Sequence, residues 1–136
     1  MLDRDGCRFH HLGLACRDLT KESAAWTGLG YRPEGPIFVD PVQKIRGCFL
    51  VGPGPRLELL TPEGEGSPIE GYLARGTKIY HQAFESDAFE SDLAALTAQG
   101  GKVTAGPVPA VAFDGRRIAF VLLPTLNLIE LIEAAP

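Results

Sequence analysis

Two histidines and two glutamates stand at matching places in the two halves of the chain. His81 lies 70 residues after His11, and Glu130 lies 72 residues after Glu58. Each histidine therefore precedes its glutamate by nearly the same distance. Imidazole nitrogens and carboxylate oxygens are donors that divalent transition metals take in proteins. The spacing predicts a metal site built from two equivalent His and Glu pairs.

The repetition extends beyond these four residues. The segment RFHHLGLACRDLTKESAAWTGLGYR (8–32) aligns with KIYHQAFESDAFESDLAALTAQGGK (78–102), and RLELL (56–60) resembles LIELI (128–132). Each half follows the same order, which is a strand with a His, a helix that ends at Gly, and a late strand with a Glu. We predict two modules of about βαβββ, residues 1–66 and 67–136, within one compact domain.

Hydrophobic periodicity locates most of the elements. The pattern predicts helices over residues 19–29, 69–74 and about 87–99, the last beginning with a capping box at Asp87 and Glu90 and ending at Gly100. The predicted strands are residues 9–16, 44–51, 56–61, 117–123 and 127–133.

Side-chain alternation indicates what the two pairs face. His11 shares a strand face with the small residues Gly13 and Ala15, which suits an open pocket. Glu58 and Glu130 sit between apolar neighbours, where a carboxylate is costly to bury unless it is compensated. Two imidazoles and two carboxylates in one pocket would be compensated by a divalent metal. We interpret His10 and Glu133 as structural or solvent-facing residues.

Composition argues against several other classes of function. The chain has 13 Lys and Arg against 17 Asp and Glu, a net charge of −4, and Arg116-Arg117 is its only adjacent basic pair, so we expect no nucleic-acid partner. No apolar run reaches about 18 residues, and we expect neither a membrane span nor a secretory signal. Three widely spaced cysteines predict a reduced, cytoplasmic chain, with Cys16 in the core.

These motifs resemble the vicinal oxygen chelate superfamily of glyoxalase I, bleomycin-resistance proteins and extradiol dioxygenases, and within it the methylmalonyl-CoA epimerases. The resemblance rests on FHHLGLACRDL, YHQAF, LELLTP and LIEL and covers about residues 9–132. It implies an α+β fold whose two βαβββ modules form a curved mixed or antiparallel sheet cup, in a homodimer. It also implies one divalent ion (Zn, Co, Ni, Mn or Fe) with the ligands His11, Glu58, His81 and Glu130.

The resemblance further implies an activity. It is that of a metal-dependent isomerase or lyase that removes a proton α to a carbonyl of a small-molecule substrate, with an acyl-CoA as the candidate. Glu130 is the expected principal base and Glu58 the other catalytic carboxylate. Gln43, Arg46 and Arg117 are candidate contacts for the substrate.

Two positions depart from the family pattern and keep alternatives open. The second catalytic carboxylate of the epimerases aligns with Gly47, and an arginine of bacterial glyoxalase I aligns with Ala15. Both departures favour a metal-free small-molecule binding protein of the bleomycin-resistance type, although the four ligands argue against it. An Fe(II) dioxygenase is the other alternative, with three ligands and Glu58 as a bystander.

Overall fold

The structure is a computed structural model and describes residues 2–136. The chain divides into two compact units, one from His11 to Tyr80 and the other formed by the residues up to His10 together with His81–Pro136. The predicted modules, residues 1–66 and 67–136, are units of the sequence repeat, and their boundary stays a prediction. The compact units differ from them because residues 67–80 group with the first half and the N-terminal segment groups with the second.

The unit from His11 to Tyr80 is a four-stranded sheet with two helices. Strand β1 pairs in parallel with β4, while β2–β3 and β3–β4 are antiparallel, so its strands follow the order β2-β3-β4-β1. The bounds are β1 (Cys7–Ala15), α1 (Leu19–Thr27), β2 (Arg32–Asp40), β3 (Ile45–Val51), β4 (Leu57–Pro62) and α2 (Ile69–Ala74).

Helix α1 begins where the sequence provides a cap. Asp18 is the N-cap residue, and its carboxylate accepts a hydrogen bond from the backbone N–H of Lys21 at 3.1 Å. The helix covers an apolar face of the sheet, against which Leu19 and Trp26 pack. The core residues of this face are Leu14, Cys16, Tyr31, Cys48, Leu50, Leu57 and Leu59. The prediction that Cys16 is a core residue is therefore confirmed.

The second unit repeats this pattern. Strand β5 pairs in parallel with β8, and β7 pairs in an antiparallel manner with both β6 and β8. The bounds are β5 (Ile79–Ser86), α3 (Phe89–Ala98), β6 (Lys102–Pro109), a 3₁₀ turn (Val111–Phe113), β7 (Arg117–Leu122) and β8 (Leu128–Glu133). The strands of this unit follow the order β5-β8-β7-β6. The predicted α+β fold with a βαβββ order in each half and a mixed sheet is confirmed.

The start of α3 differs from its prediction. The N-cap position is Ala88, which makes no side-chain capping bond, so the predicted capping box at Asp87 is wrong. The Asp87 carboxylate instead pairs with Arg4, and the hydroxyl oxygen of Ser86 accepts a hydrogen bond from the Ala88 N–H at 3.0 Å. An ion pair with the distant N-terminal segment has replaced the local cap.

Across residues 2–136, the helices are all too short or too polar to span a lipid bilayer.

Candidate metal centre

The first His and Glu pair lies in the unit from His11 to Tyr80. Gly13 of β1 is in register with Glu58 of β4, and His11 is two residues earlier on the same face of β1. The Nε2 atom of His11 lies 3.0 Å from Oε1 of Glu58, and the side chains are 0% and 6% exposed. A parallel strand pair therefore holds an imidazole and a carboxylate together inside the protein.

The second pair repeats this arrangement in the other unit. Ala83 of β5 is in register with Glu130 of β8, and His81 is again two residues earlier on the strand. The Nε2 atom of His81 lies 3.3 Å from Oε1 of Glu130, with side-chain exposures of 1% and 3%. The equivalence that the sequence repeat predicted is present in the structure.

Each pair also has an aromatic neighbour that the sequence analysis missed. The ring of Phe49 lies 5.2 Å from the His11 ring at an interplanar angle of 76°, and Phe120 lies 5.2 Å from His81 at 71°. Phe49 is in register with Glu58, and Phe120 is in register with Glu130. Both phenylalanines occupy equivalent positions of the repeat, so a comparison of the strands that precede the glutamates would have identified them.

The four side chains form a group that could hold a divalent metal ion. One nitrogen or oxygen atom from each of His11, Glu58, His81 and Glu130 lies within 4.8 Å of the corresponding atoms of the others. Donors bound to one ion at about 2.1 Å are at most about 4 Å apart, so small side-chain adjustments bring these atoms to bonding distance. Two imidazoles and two carboxylates suit Zn, Co, Ni, Mn or Fe.

Gln43 lies in the turn between β2 and β3, where Asp40 holds its side chain. The Gln43 amide donates a hydrogen bond to Oδ2 of Asp40 at 2.8 Å, and Asp40 is itself only 1% exposed. This contact fixes the amide orientation, since the opposite orientation would place two oxygens against each other. A role of Gln43 in substrate binding stays a prediction.

Arg46 and Arg117 occupy the strand faces opposite to the ligand residues. Arg46 alternates with Gly47 and Phe49 along β3 and is exposed. Arg117 stacks on the ring of Phe89 of α3 at 4.9 Å. It also forms ion pairs with Glu133 at 2.7 Å and Glu90 at 3.1 Å, which raise its pKa. These surroundings explain both arginines as surface residues, and their predicted contact with substrate stays a prediction.

On the face of β3 beside Glu58, Gly47 has no space for a side chain. A Cβ atom there would lie 2.8 Å from the carbonyl oxygen of Leu59, 2.9 Å from Cδ2 of Leu60 and 3.0 Å from Cζ of Phe38. Because these distances are shorter than normal contacts, the close approach of the strands requires glycine. The position that the resemblance aligns with a second catalytic carboxylate is thus packed against backbone and apolar side chains.

Sequence comparison finds relatives over most of the chain. A model of the Glyoxalase/Bleomycin resistance protein/Dioxygenase superfamily matches residues 10–120. The chain is also 27% identical over 116 residues to the ethylmalonyl-CoA/methylmalonyl-CoA epimerase of Cereibacter sphaeroides. The aligned region covers 84% of this chain and 87% of the epimerase.

Solved structures agree with this relationship. A hypothetical protein of Bacillus halodurans matches with a TM-score of 0.81 at 25% identity, over 97% of each chain. Methylmalonyl-CoA epimerase from Mycobacterium tuberculosis matches with a TM-score of 0.79 at 28% identity, over 94% of this chain and 88% of the epimerase. A variant of the Streptomyces coelicolor epimerase, in complex with 2-nitronate-propionyl-CoA, matches with a TM-score of 0.77 at 28% identity, over 94% of each chain. The duplicated fold, the repeated His and Glu pairs and the family match together place this chain in the Glyoxalase/Bleomycin resistance protein/Dioxygenase superfamily.

Proposed function

We propose that this protein is a divalent-metal-dependent isomerase or lyase that removes a proton α to the carbonyl of an acyl-CoA. The observation that carries the proposal is the buried group of His11, Glu58, His81 and Glu130. Four such side chains are costly to bury without a ligand that compensates their polarity and charge. A metal ion bound there would polarise a substrate carbonyl and stabilise an enolate oxygen.

The histidines, the carboxylates and the two phenylalanines have different roles in this proposal. The two histidines hold their rings edge-on to Phe49 and Phe120, which fixes the directions of the imidazole nitrogens. The carboxylates are the groups that can accept a proton at this site, and Glu130 is the proposed principal base, with Glu58 as the second proton carrier. The phenylalanine rings exclude water beside both carboxylates, which strengthens their electrostatic interactions.

The acyl-CoA part of the proposal is supported by the relatives. The curated relative is named for ethylmalonyl-CoA and methylmalonyl-CoA, and one solved neighbour is an epimerase in complex with methylmalonyl-CoA, matching with a TM-score of 0.77 at 28% identity. The apolar surroundings of both His and Glu pairs suit an acyl group. We propose Gln43 as a polar contact for the substrate, with its amide held by Asp40.

The first test is the metal content of the purified protein, of His81→Ala and of Glu58→Ala, measured by elemental analysis. We expect about one divalent ion per chain in the wild type and loss of the ion in both variants. His10→Ala is the matched control, because His10 packs against Phe113 and is not in the ligand group. This control should keep its metal. Circular dichroism of each variant separates loss of the ion from loss of the fold.

The second test is exchange of the α-proton of acyl-CoA substrates in deuterated water, followed by nuclear magnetic resonance. Exchange that depends on the metal and on Glu130 supports the proposal. Metal that is lost from His81→Ala but kept by Glu58→Ala, together with oxygen consumption, would favour the three-ligand dioxygenase. A chain that takes up no metal even after incubation with Co or Ni would favour the metal-free binding protein.

A further inference from the structure

The carboxylates of Glu58 and Glu130 determine the charge of the candidate metal centre. Both are buried, and each lies beside one histidine. An imidazole must be neutral to bind a metal, so it adds no charge to the loaded centre. Two carboxylates balance the two positive charges of a divalent ion. The loaded centre therefore has a net charge near zero.

The surroundings of Glu58 leave this balance unchanged. Phe49 lies opposite Glu58 on β3, and the next position on that face is Gly47, which has no space for a side chain. Arg56 lies just before β4, two residues before Glu58. It donates from Nε to Oε1 of Glu34 at 2.9 Å, so a carboxylate already matches its charge. These three positions thus supply no excess positive charge beside Glu58.

The surroundings of Glu130 are apolar as well. Phe120 and Ala83 are its partners on the two neighbouring strands, and Leu128 and Ile132 flank it on the same face of β8. An additional negative charge placed here would have no cation beside it at any of these four positions. Its transfer from water would be costly for that reason.

We propose that the centre prefers substrates whose oxygen donors are neutral carbonyls over substrates that bring a free carboxylate, and that the negative charges of Glu58 and Glu130 determine this preference. This inference rests on the proposed function. In the reaction the α C–H bond breaks, its electron pair moves to the carbonyl oxygen, and the proton passes to a carboxylate of the chain. Because the proton stays on the chain, this transfer leaves the total charge of the centre unchanged. A neutral acyl group therefore keeps the centre balanced, whereas an acyl group with a free carboxylate adds one negative charge.

Two thioesters provide a matched comparison. In 2-methylacetoacetyl-CoA the α-carbon carries an acetyl group, and in methylmalonyl-CoA it carries a carboxylate of similar size. Their dissociation constants for the Co²⁺-loaded protein are measured by isothermal titration calorimetry. We expect the neutral thioester to bind at least about tenfold more tightly, because a unit charge a few ångströms away in such surroundings is worth more than that factor.

The variant Glu58→Gln keeps an amide oxygen as a donor and removes one negative charge. This variant should strengthen the binding of methylmalonyl-CoA about tenfold relative to the binding of 2-methylacetoacetyl-CoA. Glu85→Gln is the control, because Glu85 lies on β5 and already pairs with Arg8 at 3.0 Å and Arg116 at 2.8 Å. We expect its ratio to equal that of the wild type. If Glu58→Gln does not take up metal, Glu130→Gln is used in its place, because it makes the same change in charge.

Equally tight binding of the two thioesters by the wild type, or a ratio that stays constant in the charge variants, would overturn the inference. Binding of neither thioester would instead contradict the acyl-CoA part of the proposed function. The charge preference is then measured with the corresponding methyl esters, methyl 2-methylacetoacetate and monomethyl methylmalonate, through the absorption spectrum of the bound Co²⁺. An equal response to these two compounds would also overturn it.

Discussion

Burial controls the reactivity of the cysteine thiols. Burial raises the pKa of Cys16 to about 11, and it also raises the pKa of Cys7 and Cys48. Because the thiolate is the reactive form, fewer thiolates exist at pH 8 than in an unfolded chain. We predict that all three thiols react slowly with a disulfide reagent at pH 8 in the native protein and rapidly in guanidinium chloride. Rapid reaction of even one thiol in the native protein would contradict the burial of that residue.

The residues of the candidate site could be predicted because the repeat marks them twice. A single histidine in a strand, such as His11, does not indicate a metal site. The equivalent His81, with a glutamate at the equivalent position of each half, does indicate one. Phe49 and Phe120 were missed because apolar residues in strands are too common to suggest a role singly. The cap at Asp87 was predicted wrongly because its partner, Arg4, is more than 80 residues away in sequence. No local pattern carries that information.

At the scale of elements, the turn between β2 and β3 depends on one buried carboxylate. Oδ1 of Asp40 accepts hydrogen bonds from the backbone N–H groups of Val42 and Gln43 at 3.1 Å each. Asp40→Ala leaves two backbone donors without this acceptor and should lower the free energy of unfolding by about 2–3 kcal/mol. Asp40→Asn keeps one acceptor oxygen and should lose about half as much. Urea unfolding measures both values, and equal stabilities of the two variants would contradict this role.

The segment before β1 is held to α3 by a second buried carboxylate. Nη2 of Arg4 donates to Oδ2 of Asp92 at 2.6 Å and to the hydroxyl oxygen of Ser86 at 3.0 Å. Burial raises the pKa of Asp92, but the hydrogen bonds from Arg4 and Ser86 outweigh it and lower the pKa overall. A lowered pKa in the folded state stabilises the protein above the ordinary aspartate pKa of about 4. This stability is lost as the pH falls through the folded value.

Removal of this arginine should therefore have a pH-dependent effect. We predict that Arg4→Gln lowers the free energy of unfolding at pH 7, since it leaves the buried carboxylate of Asp92 without its arginine. The difference from the wild type should shrink as the pH falls below about 4 and through the lowered pKa of Asp92, where this carboxylate becomes protonated. Urea unfolding at pH 7 and pH 3 tests this prediction. Arg32→Gln, at an exposed arginine of β2, is the control. A loss of stability in Arg4→Gln that is the same at both pH values would contradict the predicted role of Asp92.

The edge strands show where prediction of the elements failed. Strands β3, β4, β7 and β8 were located within one residue at each end, because buried apolar residues recur along them. Strands β2 and β6 were not located, although the order βαβββ requires them. Their sequences, RPEGPIFVD and KVTAGPVP, are mostly exposed and contain proline and glycine. Pairing with one neighbour, rather than a hydrophobic pattern, keeps such strands extended.

At the scale of the whole molecule, the edge strand of each unit bears on assembly. Strands β2 and β6 end the strand order and have unpaired backbone groups on their outer sides. On β2, Ile37 is 54% exposed and Val39 is 38% exposed. An exposed apolar edge is a common site of subunit contact, and a homodimer stays our prediction for this chain. Analytical ultracentrifugation of the wild type and of Ile37→Lys tests it, with a shift towards monomer expected for the variant.

Metal binding should stabilise the entire fold, because the ligands come from β1, β4, β5 and β8 and are brought together only in the folded state. An ion that binds the folded state alone adds about 2.7 kcal/mol at one hundred times its dissociation constant. For a chain of this length that corresponds to a rise in Tm of roughly 10 °C. We predict such a rise on addition of Co²⁺ to chelator-treated protein, and its absence in His81→Ala. His10→Ala should show the full rise. A similar rise in His81→Ala would mean that the ion stabilises the protein from some other place, and the assignment of the four ligands would then fail.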